Sequence, residues 1–404
     1  MSIRLLFLTA ETCPTFRADV TALFGKYLPR HGVYTDVVSG RTPGHSGPVV
    51  WGGGEAYLFE IAGGQAKKHI KTLLHGIKHL FAADRARYQA IQVRDMPVLA
   101  AIGLLAARIK GLPFYYWMSF PMPEDQIERA RERGMSAGIM KFLFPWLQGR
   151  VGHFLLYRVV LPLSDHVFVQ SDRMKQDMEA RGVSAQKMTP VPMGVDLEFI
   201  QADPIEPSDD PRLARQRVLV YLGTMDRSRR IETLFTVLGL VRLTFPNTLL
   251  VLAGDTVDPM HREWLIKQAH EAGQDVHVIW TGWLPAQDGL RYVRAAEVAL
   301  SYFPRGFLLD SASPTKVVEY LALGVPVVCN DNPDQARVIQ ESGAGICVPY
   351  SAQAFADAVI QLLQQSEAGT QRRSEQGMAY VASCRSYAAI SKSVAEAYHR
   401  VSRS

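Results

Sequence analysis

The segment Ser311-Ala-Ser-Pro-Thr-Lys-Val-Val-Glu-Tyr320 sets a cation and a carboxylate one helical turn apart, directly after a Ser-Pro pair. Ser313 can cap a helix, with Pro314 at the first helical position, where the missing N–H would have had no partner anyway. The amides near Thr315 and Lys316 would then point at an anion, and Lys316 adds a full positive charge. Glu319, a turn further on, can accept from both hydroxyls of a ribose. A nucleoside diphosphate asks for this pairing, because its phosphates must be neutralised and its sugar held. By itself the segment also fits a capped surface helix.

More basic residues follow an apolar run in Leu222-Gly-Thr-Met-Asp-Arg-Ser-Arg-Arg-Ile231, and a second run ends in Trp280-Thr-Gly-Trp-Leu284. Other chemistries lack their residues. No Gly-x-x-x-x-Gly-Lys-Ser/Thr loop is present, and the turn from Thr9 to Arg17 has no Gly-x-Gly-x-x-Gly, which weighs against a P-loop ATPase and an NAD dehydrogenase. Cys13, Cys329, Cys347 and Cys384 are far apart and read as reduced, mostly buried thiols of a cytoplasmic protein. His75 and His79 lie one turn apart among Lys71 and Lys78 with no carboxylate nearby, so they read as a solvated basic face rather than a zinc site. The longest apolar run, Met96 to Ala107, is well short of a membrane span. We expect no metal, no bound cofactor and no nucleic-acid partner.

The elements that must position these residues alternate. Apolar runs at Ile3–Ala10, Val33–Val38, Ala90–Val93, Phe114–Met118 and His166–Gln170 read as buried strands. Between them lie helical patterns at Ala18–His31, Gln65–Ala82 and Pro97–Ile109, and one opening at Ser171; residues 40–56 are rich in Gly and Pro and read as loop. Residues 200–216 are polar and read as a linker. The alternation then restarts, with strands at Val218–Leu222, Leu249–Ala253, Val276–Trp280, Val298–Tyr302, Val325–Cys329 and Gly345–Val348. This predicts two doubly wound α/β domains, 1–199 and 217–380, with a C-terminal segment, 381–404, packing its helix back on the first. The 404 residues suit two domains. Residues 1–200 carry 24 Lys and Arg against 17 Asp and Glu, so the first half is basic and hints at an anionic partner.

The run from Ser313 through Gly-Val-Pro-Val-Val resembles the signature of the family 4 retaining glycosyltransferases, in a variant with a Ser-Pro-x-Lys-x-x-Glu motif. Leu222–Ile231, Leu250-Val-Leu-Ala-Gly-Asp255, Trp280–Leu284 and the turn Pro192-Met-Gly-Val-Asp196 follow in that family's order. The resemblance implies the GT-B fold, two Rossmann-like domains facing a central cleft, with a nucleotide-sugar donor on the C-terminal one. It implies Arg230, Lys316 and Glu319 as the catalytic set: Glu319 on the ribose, Lys316 and Arg230 on the diphosphate, with Arg229 and Arg227 competing for the last role. Gly223, Thr224, Ser311, Ser313, Pro314 and Thr315 would line the donor. Gly282 and Trp283 would lie near the base, although Trp283 could equally be a core residue.

Two positions depart from the family pattern. Ser311 stands where a first glutamate is usual, with Asp310 adjacent, and Ser119 stands near where many members have a histidine. There is no Asp-x-Asp of the kind that holds a metal in GT-A enzymes. The acceptor, a saccharide or lipid-linked saccharide, belongs to the basic first half. Arg17 and Arg94 sit at strand ends where they could meet an acceptor phosphate or be structural. Ser119 and Glu124 are further acceptor candidates; Glu124 and Asp125 either supply a general base or form a polar loop. The basic face of 65–82 and the Phe/Trp/Leu-rich residues 139–161 could rest on an anionic membrane from the cytoplasmic side, or be a surface helix and a buried segment. Competing readings are an epimerase or hydrolase on the same scaffold, and an inactive nucleotide-sugar-binding subunit.

Overall fold

The computed structural model describes residues 2–15, 17–61, 64–134 and 138–402, without the side chains of Gln65, Ala66, Arg133 and Lys141. The chain divides into two compact units: residues up to Met193 together with those from Tyr387 onward, and Gly194–Ser386.

The first unit is built on a seven-stranded parallel sheet. Its strands are β1 (Ile3–Thr9), β2 (Val33–Arg41), β3 (Ala56–Glu60), β4 (Ala90–Arg94), β5 (Phe114–Met118), β6 (His166–Val169) and β7 (Met188–Pro190), in the order β3-β2-β1-β4-β5-β6-β7. β1 is apolar almost throughout because both faces of a parallel sheet are covered by helices. One face carries the π-helix Asp19–Tyr27 and the C-terminal helix Tyr387–Val401, which pack on each other. An aromatic ladder joins them across the sheet: Phe7 to Phe24 at 4.5 Å between centroids, Phe24 to Trp117 at 4.9 Å, Trp117 to Phe168 at 5.2 Å and Phe168 to Tyr398 at 4.6 Å. Burying each ring contributes roughly 2–3 kcal/mol, and the Tyr398 hydroxyl donates to Gln92 on β4. That packing is why the last helix belongs to the first unit.

The second unit has β8 (Arg217–Leu222), β9 (Thr248–Ala253), β10 (Val278–Gly282), β11 (Val298–Ser301), β12 (Val327–Asn330) and β13 (Gly345–Val348), all parallel, in the order β10-β9-β8-β11-β12-β13. Each unit is a doubly wound, Rossmann-like α/β layer structure. In each the strand order reverses once, between β1 and β4 and between β8 and β11, and loops leaving the C-terminal strand ends there are where such folds hold ligands.

Four stretches differ from the sequence reading. β2 runs on to Arg41, and β3, at the end of the stretch read as loop, adds an edge strand. Residues 200–216 do not hang free: Asp209 pairs with Arg291 at 3.0 Å, and Asp210 accepts from Tyr292 at 2.9 Å, both on the helix Ala286–Arg294. The chain enters the second unit at Gly194 and leaves at Ser386, so residues 381–386 belong there, with Val381 in its core. Helices Met122–Arg133 and Ile139–Leu155 carry no expected counterpart. They approach closely at Gly149, where a Cβ would lie 2.7 Å from Ile127.

Candidate functional site

The donor candidates converge at the switch point of the second unit. β8 ends in Tyr221 and Leu222, and the helix Thr315–Ala322 follows the loop after β11. Two tyrosines tie helix to strand. The Tyr320 hydroxyl accepts from the Leu222 N–H at 2.8 Å, and the Tyr221 hydroxyl accepts from Lys316 Nζ. Tyr221 in turn donates to the Thr224 carbonyl at 3.0 Å, and Lys316 Nζ lies 3.7 Å from the centroid of its ring. Gly223 has φ +128°, and a Cβ there would fall 2.9 Å from Lys316 Cε, so glycine is what leaves the lysine its place.

The cations here form no ion pairs among the described residues. Burial, and then Arg229, hold the Lys316 ammonium well below the usual lysine range, against the pull of Glu319 and Asp226. Arg229 stacks 4.4 Å over the Phe303 ring, and its Nε and Nη1 are buried without a hydrogen-bond partner among the described residues. Burial raises the Glu319 carboxyl above its usual range, with Lys316 opposing, and this carboxylate makes no side-chain hydrogen bond or ion pair among the described residues. Buried donors normally have acceptors. Two cations that form no ion pair among the described residues, with an open carboxylate one turn away, suit a diphosphate and a pair of hydroxyls.

Of the three arginines of this loop, the structure brings Arg229 to Lys316. Arg230 has a left-handed backbone, φ +53°, and an exposed side chain paired with Glu232; Arg227 is exposed and pairs with Asp258 at 3.3 Å. The expected Ser313 cap is absent. The helix begins at Thr315 after an extended Pro314, and no side chain caps it. Ser313 Oγ instead donates to Asp334 at 2.6 Å, because that buried carboxylate and its partner Arg385, at 2.6 Å, draw polar neighbours inward. Ser311 is also turned inward: its hydroxyl donates to the Phe307 carbonyl at 2.9 Å. Asp310 is engaged by Arg305 at 2.8 and 3.1 Å, and Arg305 reaches Asp331 at 2.8 Å. Asn330 clamps the loop after β11 by accepting from the Phe303 N–H at 2.7 Å and donating to its carbonyl at 2.8 Å. Gly282 ends β10 with φ +70°, and Trp283 beyond it is 57% exposed, so it is no core residue. Tyr221, Tyr320, Phe303 and Asn330 were not read from the sequence. Tyr221 stands 95 residues from Lys316, and no local pattern links the two.

The switch point of the first unit is different in kind. Arg94, at the end of β4, is 1% exposed and lies 2.6 Å from Asp19, 3.3 Å from Glu11 and 3.7 Å from Asp95. It is therefore not placed to meet an acceptor phosphate, contrary to one reading above, and serves the interior. Ser119 is likewise occupied, donating its N–H to Asp95 at 2.8 Å and its hydroxyl to the same carboxylate. Arg17 keeps a half-exposed side chain 3.3 Å from Asp19. Glu124 and Asp125 form the first turn of the helix Met122–Arg133 rather than a loop. Glu124 accepts from Tyr157 and from Arg181 at 3.0 Å, and its other oxygen is buried without a partner among the described residues. His75 and His79 do not form a solvated face; their rings pack on Phe59 and Tyr57 of β3. Among the described residues no group of His, Cys, Asp and Glu could hold a metal ion, and no helix is long and apolar enough to cross a membrane.

Comparison with known proteins addresses both halves. Residues 206–377 match the family described as glycosyl transferases group 1, and residues 18–194 match the glycosyl transferase 4-like domain. No curated protein matches the chain by sequence. Among solved structures it is similar to the sucrose-phosphate synthase of Thermosynechococcus elongatus, at 17% identity and TM-score 0.70 over 99% of both chains. It is similar to HepE of Anabaena, solved in complex with UDP-glucose, at 14% identity and TM-score 0.67 over 98% of this chain and 100% of that one. It is also similar to the lipopolysaccharide outer core galactosyltransferase WaaB, at 14% identity and TM-score 0.62 over 98% and 99%. At such identities these likenesses speak for the fold. Each half thus matches a glycosyltransferase domain, and the two Rossmann-like units are those of the GT-B fold.

Proposed function

We propose that this chain is a retaining transferase that takes a sugar from a UDP- or GDP-sugar and passes it to a saccharide or lipid-linked saccharide, without a metal ion, in polysaccharide or glycoconjugate assembly. The observation that carries the reading is the pair Lys316 and Arg229, two inward-turned cations that form no ion pair among the described residues, at the β8/β11 switch point. The bond between the sugar's anomeric carbon and the diphosphate oxygen breaks, and an acceptor hydroxyl bonds to that carbon from the face the diphosphate leaves. The acceptor proton passes to a phosphate oxygen, so no protein nucleophile is needed. Lys316, Arg229 and the first amides of the helix Thr315–Ala322 stabilise the charge that develops on the leaving group. Glu319 accepts from the ribose hydroxyls, and Trp283 offers an exposed face to the base. The complex of HepE with UDP-glucose makes the uridine donor the first to test. The lipid-linked acceptor goes with peripheral contact of the basic first unit with an anionic membrane.

The test is a panel of nucleotide sugars scored by thermal shift and by release of nucleoside diphosphate. One nucleotide class should shift the melting temperature, and the shift should vanish in Lys316→Ala and Glu319→Ala. If none does, the donor site is misassigned. Binding without release in the presence of membrane extract would favour an inactive binding subunit, for which the buried Ser311 in the usual glutamate position speaks.

A further inference from the structure

Three helices of the first unit lie in a row: Gln65–Ala82 packs on Pro97–Lys110, which packs on Ile139–Leu155. Close packing is visible at Gly76, where a Cβ would fall 2.6 Å from Leu99. Their outward faces are apolar. Ile70, Leu74 and Phe81 are exposed on the first, and Val98, Leu105 and Ile109 on the second. On the third, Leu143, Phe144, Leu147, Val151 and Phe154 stand exposed in a stripe at helical spacing, with Ile139 and Met140 at its start. Single exposed apolar residues are ordinary, but rows of them along three neighbouring helices mark a surface that something covers.

The charges on the same helices say what. The three carry eight Lys and Arg and not one Asp or Glu, in a chain with 39 acidic residues. Lys67, Lys71, Lys78 and Arg150 are exposed, and the Arg150 guanidinium lies 6.0 Å over the half-buried Trp146 ring. The side chain of Lys141 lies outside the described residues. A protein partner or a second copy of this chain would bring charges of both signs. Apolar rows on three helices whose own charges are all cationic complement a surface that is anionic at its polar boundary and apolar beneath.

We propose that this three-helix face docks on the surface of a bilayer containing anionic phospholipid. The exposed apolar side chains enter the boundary between headgroups and acyl chains, and the lysines and arginines meet lipid phosphates. The helices lie along the surface and do not span it. The proposal rests on the transferase reading for its purpose, since it brings the first unit to a lipid-linked acceptor, but its test is independent of turnover.

The test is flotation of the full chain with vesicles of phosphatidylcholine alone and of phosphatidylcholine mixed with phosphatidylglycerol. Two variants accompany it, Leu143→Glu/Phe144→Glu/Leu147→Glu and Lys71→Glu/Lys78→Glu/Arg150→Glu. All substituted side chains are exposed, so far-UV circular dichroism and melting temperature should be unchanged. The expected result is binding to the anionic vesicles only, weakened more than about tenfold in each variant. Equal binding to both vesicles would overturn the anionic assignment. No vesicle binding would overturn the proposal, and so would a concentration-dependent dimer abolished by the apolar variant, which would make the face an interface between copies. Titration of UDP and GDP into the same variants separates the two readings: nucleotide binding that survives the loss of vesicle binding leaves the donor site standing.

Discussion

The two switch points share a topology and differ in their charge balance. Between β1 and β4, Arg94 and Arg17 lie among Glu11, Asp19 and Asp95, and each cation has a carboxylate within 3.3 Å. Between β8 and β11, Lys316 has a tyrosine hydroxyl and Arg229 an aromatic face, and neither forms an ion pair with a carboxylate among the described residues. Cations at a strand end are therefore not a ligand site by position alone. A compensated buried cation holds the fold together. An uncompensated one costs the fold something and is left for an incoming anion, since a buried charge without a partner is expensive.

The sharpest way to break this comparison is to remove a cation from each side. Lys316→Met should lower nucleoside diphosphate release by about a thousandfold, the scale of losing a preorganised donor to a developing oxyanion. Its melting temperature should stay level or rise, because a disfavoured charge leaves the interior. Arg94→Met should do the reverse, costing about 3 kcal/mol of stability by leaving the buried Asp19 with the half-exposed Arg17 alone, as read by urea unfolding. A destabilised Lys316→Met would contradict the contrast. Next in size, Arg229→Met should weaken binding of the nucleoside diphosphate about a hundredfold, whereas Arg230→Met, exposed and paired with Glu232, should change it by less than about threefold. Calorimetric titration decides between the two arginines.

The smallest effect is on pH. A diphosphate needs Lys316 charged, and in the free protein burial and Arg229 depress its pKa below the usual lysine value of 10.5. Affinity should be full below that depressed pKa, fall as pH rises through it, and be accompanied by proton uptake on binding. Folding stability runs the other way. The unfolded chain holds this proton more tightly, so the penalty of the buried charge is relieved as pH rises through the depressed pKa. Titrations in buffers of different ionisation enthalpy should show the uptake, and Lys316→Met should abolish it. Nucleotide affinity flat across this range would mean the lysine is not on the phosphates.

Much of the fold was legible because parallel strands buried on both faces announce themselves as apolar runs, and β1, β5 and β8 did so. β3 escaped because Ala56–Glu60 is a half-exposed edge strand, and the helix Ile139–Leu155 because its apolar residues face outward instead of following a core pattern. In the candidate site, Lys316, Glu319 and Gly223 could be read from their motifs. Ser313 was misread because a Ser-Pro pair looks like a helix start, and its competing partner, Asp334, lies 21 residues away.

What the sequence determined by itself was the local grammar: where strands and helices lie, that the pattern occurs twice, and which segment carries a lysine and a glutamate one turn apart. Tertiary structure alone decided which charges are compensated. Arg94 and Arg229 look alike along the chain, one at the end of a strand and the other in the loop that follows one. Asp19 comes to Arg94 from 75 residues away, and no carboxylate among the described residues comes to Arg229. Charge balance at a buried site is a sum over partners distant in sequence, and only folding brings those partners together.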